Sequence, residues 1–278
     1  MKRYRALLTG ASGGIGREIA RALAPHCDDL VLVGRDAGRL AESAAAAGPV
    51  ARTLAADLAT PEGLDAVKLP GINLLINNAG AGEFAWLEGQ SDAALARIVE
   101  TNVLAPMQLT RRLLPELKRR PEAWIVNVGS IMGYLGYPGH AAYCASKFAL
   151  RGFSEALRRE LADSPVRVLY LAPRATRTAM NSAGICALNA ELGVAMDEPA
   201  AVAKELLALL ERPVRERLLG MPERLFARLN QVLPGLVDRA LLRQLSTIRR
   251  HAPPTEKLHE KADPRRIHGH ATRRIRRS

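Results

Sequence analysis

Short apolar runs alternate along the chain with longer segments in which apolar residues recur at helical spacing. The runs fall at residues 5–9, 30–33, 50–55, 74–76, 124–128 and 166–171, and each has the length of a strand. Between and after them, residues 15–23, 37–46, 61–67, 92–118, 143–162 and 199–210 carry the helical pattern. Near-continuous apolar runs describe strands covered on both faces. The alternation predicts an α/β fold over residues 1–220: a doubly wound parallel sheet of six strands with helices on both faces.

Beyond Glu211 the pattern changes. Leu225, Leu229, Val232, Leu236, Leu241 and Leu245 recur at near-helical spacing with Arg224, Arg228, Arg239 and Arg243 between them, broken at Pro234-Gly235. Residues 221–250 therefore read as an extension of two amphipathic helices with basic polar faces. From 251 to 278 the chain has no aromatic residue and few large apolar ones, and it is expected to be a disordered basic tail.

Composition changes this picture little. Of 278 residues, 48% are hydrophobic and only 4% aromatic, so the core is expected to be Ala, Leu and Val. The net charge of +12 suggests nucleic acid until it is located: from Arg249 onward ten Lys/Arg stand against three Asp/Glu. Such a tail can hold phosphates in a salt-dependent way, but without stacking aromatics it predicts no specific nucleic-acid partner. Cys27, Cys144 and Cys186 fit neither a metal site nor a disulfide framework, and no run supplies a signal peptide or a membrane span. The expected location is cytoplasmic, with attachment to the inner face of a membrane left open by the basic helices.

The chemistry starts at the first strand, which runs straight into TGASGGIG, residues 9–16, and then into a helix. Gly10, Gly14 and Gly16 let the turn be tight and the backbone approach a phosphate, which the helix N-terminus also favours. Further on, Tyr143 and Lys147 in YCASK stand four apart, on one helix face. Asp57-Leu58 follows the third strand, NNAG occupies 77–80, and Asn102 and Ser130 precede the Tyr-Lys pair.

Taken in order, these motifs resemble those of the short-chain dehydrogenase/reductase family. The resemblance implies a Rossmann fold, a nicotinamide dinucleotide and a homo-oligomer, dimer or tetramer. It implies cofactor contacts at Gly10, Ser12, Gly14, Ile15, Gly16, Asp57, Leu58, Asn78, Ala79, Gly80, Pro173, Thr176 and Thr178. It makes Tyr143 the proton donor and acceptor, places Lys147 on the nicotinamide ribose, Ser130 on the substrate oxygen and Asn102 on a water leading from Lys147. The Lys147 ammonium is expected to lower the phenol pKa of Tyr143 from its ordinary value near ~10.

Three local features refine the expectation. Arg35 ends the second strand where an acidic residue would receive a ribose 2′-hydroxyl, and a guanidinium there suits a 2′-phosphate, so NADP(H) is expected over NAD(H). The bland alternative is that Arg35 pairs with Asp36 in a solvated turn. After the sixth strand the chain reads APRATRT, with Arg174 where the family carries glycine. Arg174 either distorts the backbone there or lends charge to cofactor phosphates or an acidic substrate. Finally, residues 131–140 and the loop 179–197 hold Met132, Tyr134, Leu135, Tyr137, Met180, Ile185, Leu188, Leu192, Val194 and Met196, predicting a hydrophobic small-molecule substrate. Residues 222–248 then read as a cap on the substrate channel, a protein interface, or a helix lying on an anionic membrane.

The leading expectation is an NADP(H)-dependent oxidoreductase that interconverts a carbonyl and an alcohol on a hydrophobic, lipid-like molecule. The alternative is a catalytically silent NADP(H)-binding regulatory protein, against which the intact Asn102, Ser130, Tyr143 and Lys147 argue.

Overall fold

A computed structural model describes residues 3–252. Seven parallel strands form one sheet: β1 (Tyr4–Thr9), β2 (Cys27–Gly34), β3 (Ala51–Ala55), β4 (Leu74–Asn77), β5 (Ala123–Val128), β6 (Val166–Ala172) and β7 (Glu216–Leu218). Their order is β3-β2-β1-β4-β5-β6-β7. The helices are α1 (Gly14–Leu23), α2 (Ala37–Ala47), α3 (Pro61–Asp65), α4 (Asp92–Val99), α5 (Ala105–Lys118), α6 (Ala141–Glu160), α7 (Ala183–Glu191), α8 (Pro199–Glu211), α9 (Met221–Val232), α10 (Pro234–Arg243) and α11 (Leu245–His251).

The near-continuous apolar strands have the two-sided cause the pattern suggested. In β1, Ala6 and Leu8 join Leu32, Ile76 and Val126 beneath Ile19 and Leu23 of α1 and Val202 and Leu206 of α8. Leu7, between them, points to the other face with Val31, Leu75 and Ile125, under Leu109 and Leu113 of α5 and Leu157 of α6. Successive residues thus feed opposite cores.

The structure departs from the sequence pattern in four places. A seventh strand, β7, pairs Glu216 to Leu218 with Tyr170 to Ala172. The expected loop 179–197 contains α7, whose N-cap Ser182 accepts a hydrogen bond from the Ile185 N–H. The helical stretch 92–118 is interrupted by a π-turn at Glu100–Leu104. The C-terminal extension has three helices, broken at Pro234 as its sequence suggested, and α11 continues through His251. Residues 253–278 of the expected tail lie outside the described residues.

Candidate active site

β1 and β4 are neighbours where the strand order reverses, and the turns leaving their C-terminal ends meet. Gly10 has φ +66, and a Cβ there would lie 2.7 Å from Ala79 Cα. A side chain at Gly16 would run into the Gly10 carbonyl. Thr9 pins the two turns: its Oγ1 accepts from the Asn78 and Ala79 N–H groups, each at 3.0 Å. Asn78 returns the link, its Nδ2 donating to the Thr9 carbonyl at 3.0 Å and the Gly10 carbonyl at 3.2 Å. The Asn78 side chain, expected against a cofactor, thus holds the glycine turn in shape.

That turn opens α1, whose N-cap, Gly13, contributes no side-chain hydrogen bond and whose first turn has no acidic residue. The first N–H groups of the helix are left for an anion, and the missing Cβ atoms leave room for one. A dinucleotide pyrophosphate fits this cradle. Ser12 and Gly14 border an open groove of about 650 Å³ that continues past Arg17, Arg39, Arg177 and Thr178 to α7. Ile15 turns inward against the core beneath the sheet.

Arg35 is exposed at the end of β2. Asp36 does not pair with it; its Oδ1 accepts the Arg39 N–H at 3.0 Å as the N-cap of α2. Neither Arg35 nor Arg39 has an ion-pair partner among the described residues, whereas Arg17 bonds Glu42 and Arg177 bonds Glu198. On the next turn Asp57 is exposed, with its Oδ1 accepting the Ala59 N–H at 3.0 Å, and Leu58 is buried beside Leu64.

Asn102 sits inside the π-turn between α4 and α5, where the Ala105 N–H bonds the Glu100 carbonyl five residues back. Pro106 has no N–H to return to the Asn102 carbonyl in α-helical register. The fully buried Asn102 amide grips Ala81 at both ends: Oδ1 accepts the Ala81 N–H at 2.7 Å and Nδ2 donates to the Ala81 carbonyl at 2.8 Å. Nδ2 also donates to Ser146 Oγ at 2.9 Å, and Ser146 donates to the Tyr143 carbonyl at 2.7 Å. One side chain thereby ties the Asn78–Ala81 turn to the helix that carries Tyr143 and Lys147.

Lys147 is buried, and its Nζ donates to the Val128 carbonyl at 3.2 Å, 5.6 Å from the centroid of the Tyr143 ring. A Cβ on Gly80 would stand 3.7 Å from Nζ and 3.5 Å from Asn102 Oδ1, so Gly80 keeps the space beside the ammonium open. Burial lowers the Lys147 pKa to about 8. Burial also raises Tyr143, to about 12, and the opposing influence is a hydrogen bond from Ser130. This corrects the expectation of a phenol lowered by Lys147: in the protein itself desolvation dominates, and Ser130 is the group that counters it. Ser130 Oγ also accepts the Met132 N–H at 3.1 Å, fixing the turn after β5.

After β6, the Pro173 carbonyl accepts the Ile131 N–H at 3.0 Å. Thr176 is buried, and its hydroxyl donates to the Arg174 carbonyl at 2.9 Å rather than facing the groove. Thr178 does reach the glycine turn: a Cβ on Gly14 would meet its methyl at 3.3 Å. Both expectations for Arg174 are overturned. No described residue other than glycine has positive φ, and the guanidinium is taken by Asp197 at 2.7 Å and Glu223 at 3.4 Å. Arg174 fastens the loop to α9 and to the approach of α8.

The predicted substrate wall divides. Tyr134 is buried, donates to Glu216 Oε2 at 2.7 Å and supports Arg151, 3.8 Å over its ring. Leu188, Ile185 and Leu192 pack α7 onto α11 around Phe84 and Ile248. Val194 and Met196 line the groove at the glycine turn. Beside Tyr143 stand residues the pattern did not mark: His140, whose ring lies 6.3 Å away, and Phe84, stacked on His140 at 5.1 Å. Gly82 lies directly under the phenol, a Cβ there being 3.0 Å from the Tyr143 ring.

A crevice at the reversal of a parallel sheet, a phosphate-ready glycine turn and a Ser-Tyr-Lys group at its mouth define a nucleotide-dependent oxidoreductase of the doubly wound class. The family model for short chain dehydrogenase matches residues 4–185, and the chain belongs to that family, whose members act on CH–OH and C=O groups. It is 32% identical over 258 residues to dehydrogenase/reductase SDR family member 7B of Bos taurus, a match that covers 84% of this chain and 79% of that one. Among solved structures, a short chain dehydrogenase from Burkholderia cenocepacia J2315 in complex with NADP superposes with TM-score 0.74 at 26% identity, covering 87% of this chain and 98% of that one. The 3-ketoacyl-(acyl-carrier-protein) reductase from Brucella melitensis complexed with NADH gives TM-score 0.70 at 29% identity, covering 78% and 95%.

Proposed function

We propose that the chain is an NADP(H)-dependent oxidoreductase that interconverts a carbonyl and an alcohol on a hydrophobic, lipid-like substrate, with Tyr143 giving and taking the proton. The observation that carries this reading is the convergence of Tyr143, Ser130 and Lys147 at the crevice, braced by Asn102. The glycine turn and the start of α1 would hold the pyrophosphate, Thr178 the far side of the groove, and Lys147 a ribose. When bound, the dinucleotide supplies or accepts the hydride.

The residues of the chain handle the proton. With its pKa raised to about 12, Tyr143 carries its proton throughout neutral pH, the form that reduction of a carbonyl needs. Ser130 would donate to the same substrate oxygen and so stabilise developing negative charge, a role that its turn beside Tyr143 supports. Tyr137, which lines a groove beside Cys144, favours apolar substrates, and burial keeps the neighbouring His140 neutral by lowering its pKa to about 4.

NADP(H) is favoured by Arg35, just after β2, and Arg39, in the first turn of α2, two exposed guanidinium groups with no ion-pair partner among the described residues. A screen of NADPH oxidation over medium- and long-chain ketones, aldehydes and acyl thioesters tests the reading. Turnover confined to small polar carbonyls would refute the substrate class. NADPH binding with no turnover of any carbonyl would favour the silent regulator.

A further inference from the structure

We propose that the outer face of α9 and α10 docks onto an anionic lipid surface. Three internal contacts fix how these helices sit. Ala227 of α9 is buried against Tyr134 and Tyr170, Asn230 Nδ2 donates to the Tyr134 carbonyl at 2.9 Å, and Val237 of α10 is buried. With those positions turned inward, Met221, Leu225 and Val232 fall on nearly one line along the opposite side of α9, since each residue advances about 100° around a helix. They are 68%, 65% and 75% exposed, and Leu233, Leu236 and Leu242 are exposed nearby at 50%, 51% and 63%. Six large exposed apolar side chains within two adjacent short helices and the residue that joins them are more than a solvated surface requires.

The charges around the patch select its partner. Arg224, Arg228, Arg239 and Arg243 are exposed and have no ion-pair partner among the described residues. Glu223 faces Arg174, which leaves Asp238 as the one exposed acidic residue of these two helices. A second copy meeting this face through the same face would set arginines against arginines. A phosphate backbone would pair the arginines and leave the leucines in water. A bilayer with anionic headgroups takes both, the apolar side chains in the acyl boundary and the guanidinium groups at the phosphates. The chain after Ala252 adds eight Lys/Arg against three Asp/Glu to the same attraction. No described helix is long and apolar enough to cross a membrane, so the contact lies along the surface.

The proposal stands apart from the catalytic reading, but it has a bearing on access. Leu242 also borders a groove of about 450 Å³ shared with Tyr137 and Cys144, the residue next to Tyr143.

Flotation of the full chain with vesicles tests the docking. Vesicles of phosphatidylcholine and phosphatidylglycerol in equal parts are expected to carry the protein, pure phosphatidylcholine far less, and high salt to weaken the binding. Leu225→Glu with Val232→Glu is expected to lower the partition roughly ten-fold or more, and so is Arg228→Glu with Arg239→Glu. Both pairs are exposed, and unchanged thermal unfolding and NADPH affinity show that each variant is folded. Failure of the wild type to float with anionic vesicles overturns the proposal. Flotation of both folded double variants equal to that of the wild type also overturns it, because binding then resides outside this face. A concentration-dependent dimer that the leucine–valine variant converts to monomer, with vesicle binding unchanged, assigns the face to a second copy instead.

Discussion

Asn102 and Ala81 are joined through both ends of one side-chain amide, at 2.7 and 2.8 Å, across 21 positions of sequence. The pair, with the Ser146 hydroxyl, engages both the oxygen and the nitrogen of the Asn102 amide within the protein. Asn102→Ala removes the bonds to the Ala81 N–H and carbonyl and to the buried Ser146 hydroxyl, and it is expected to destabilise the fold by about 2–4 kcal/mol. Urea unfolding measures this. Turnover is expected to fall further than the folded fraction does, because the turn beside Gly80 loses its brace.

Tyr143→Phe removes the proton and nothing else of comparable size. Turnover is expected to drop by ~10²- to 10⁴-fold while NADPH binding, followed by nicotinamide fluorescence, persists. Substantial retained activity would mean the proton comes from elsewhere. In the wild type, alcohol oxidation is expected to accelerate as pH rises toward the raised phenol pKa, whereas carbonyl reduction stays level through neutrality.

Arg35→Asp replaces a cation with no ion-pair partner among the described residues by an anion at the end of β2. The ratio of kcat/KM for NADPH to that for NADH is expected to fall by ~10²-fold or more, chiefly through KM for NADPH. An unchanged ratio would leave Arg35 a solvated turn residue.

Lys147 gives the apo-protein a distinctive alkaline behaviour. Its folded pKa of about 8 lies below its ordinary value of 10.5, so between those limits the unfolded chain binds more protons and stability rises with pH. Below about 8 both states are protonated, the slope vanishes and the cost of burying the charge is constant. Lys147→Met lacks this titration. Denaturation midpoints from pH 7 to 10 are therefore expected to rise in the wild type relative to the variant; parallel curves would show that the ammonium is not desolvated. Above pH 10 the raised Tyr143 pKa pulls the other way, because the unfolded phenol ionises first.

What the chain reveals in one dimension follows from periodicity and from residues with few uses. β1, β2, β4, β5 and β6 read clearly because both faces are buried, and Gly10 was legible because only glycine tolerates its φ and its closeness to Ala79. β7 was not legible: Glu216-Arg217-Leu218 is a strand because the backbone of β6 offers it an edge. α7 was missed because AGICALNAE has no polar side from which to take a period. The cross-strand work of Thr9, the clamp of Asn102 on Ala81 and the ion pairs of Arg174 join residues far apart in sequence. A motif can mark such positions, but their partners appear only when the sheet brings them together.

The π-turn at Glu100–Leu104 has one further meaning. It inserts a phase offset between α4 and α5: the chain runs from one into the other, yet the sequence that follows is rotated by about one residue relative to an uninterrupted α-helix. Asn102 faces Ala81 because of that offset. Shortening the run by a single residue would let the helix wind regularly, carry the amide about 100° around the axis and uncouple the crevice from its floor, with every side chain of the catalytic group still present.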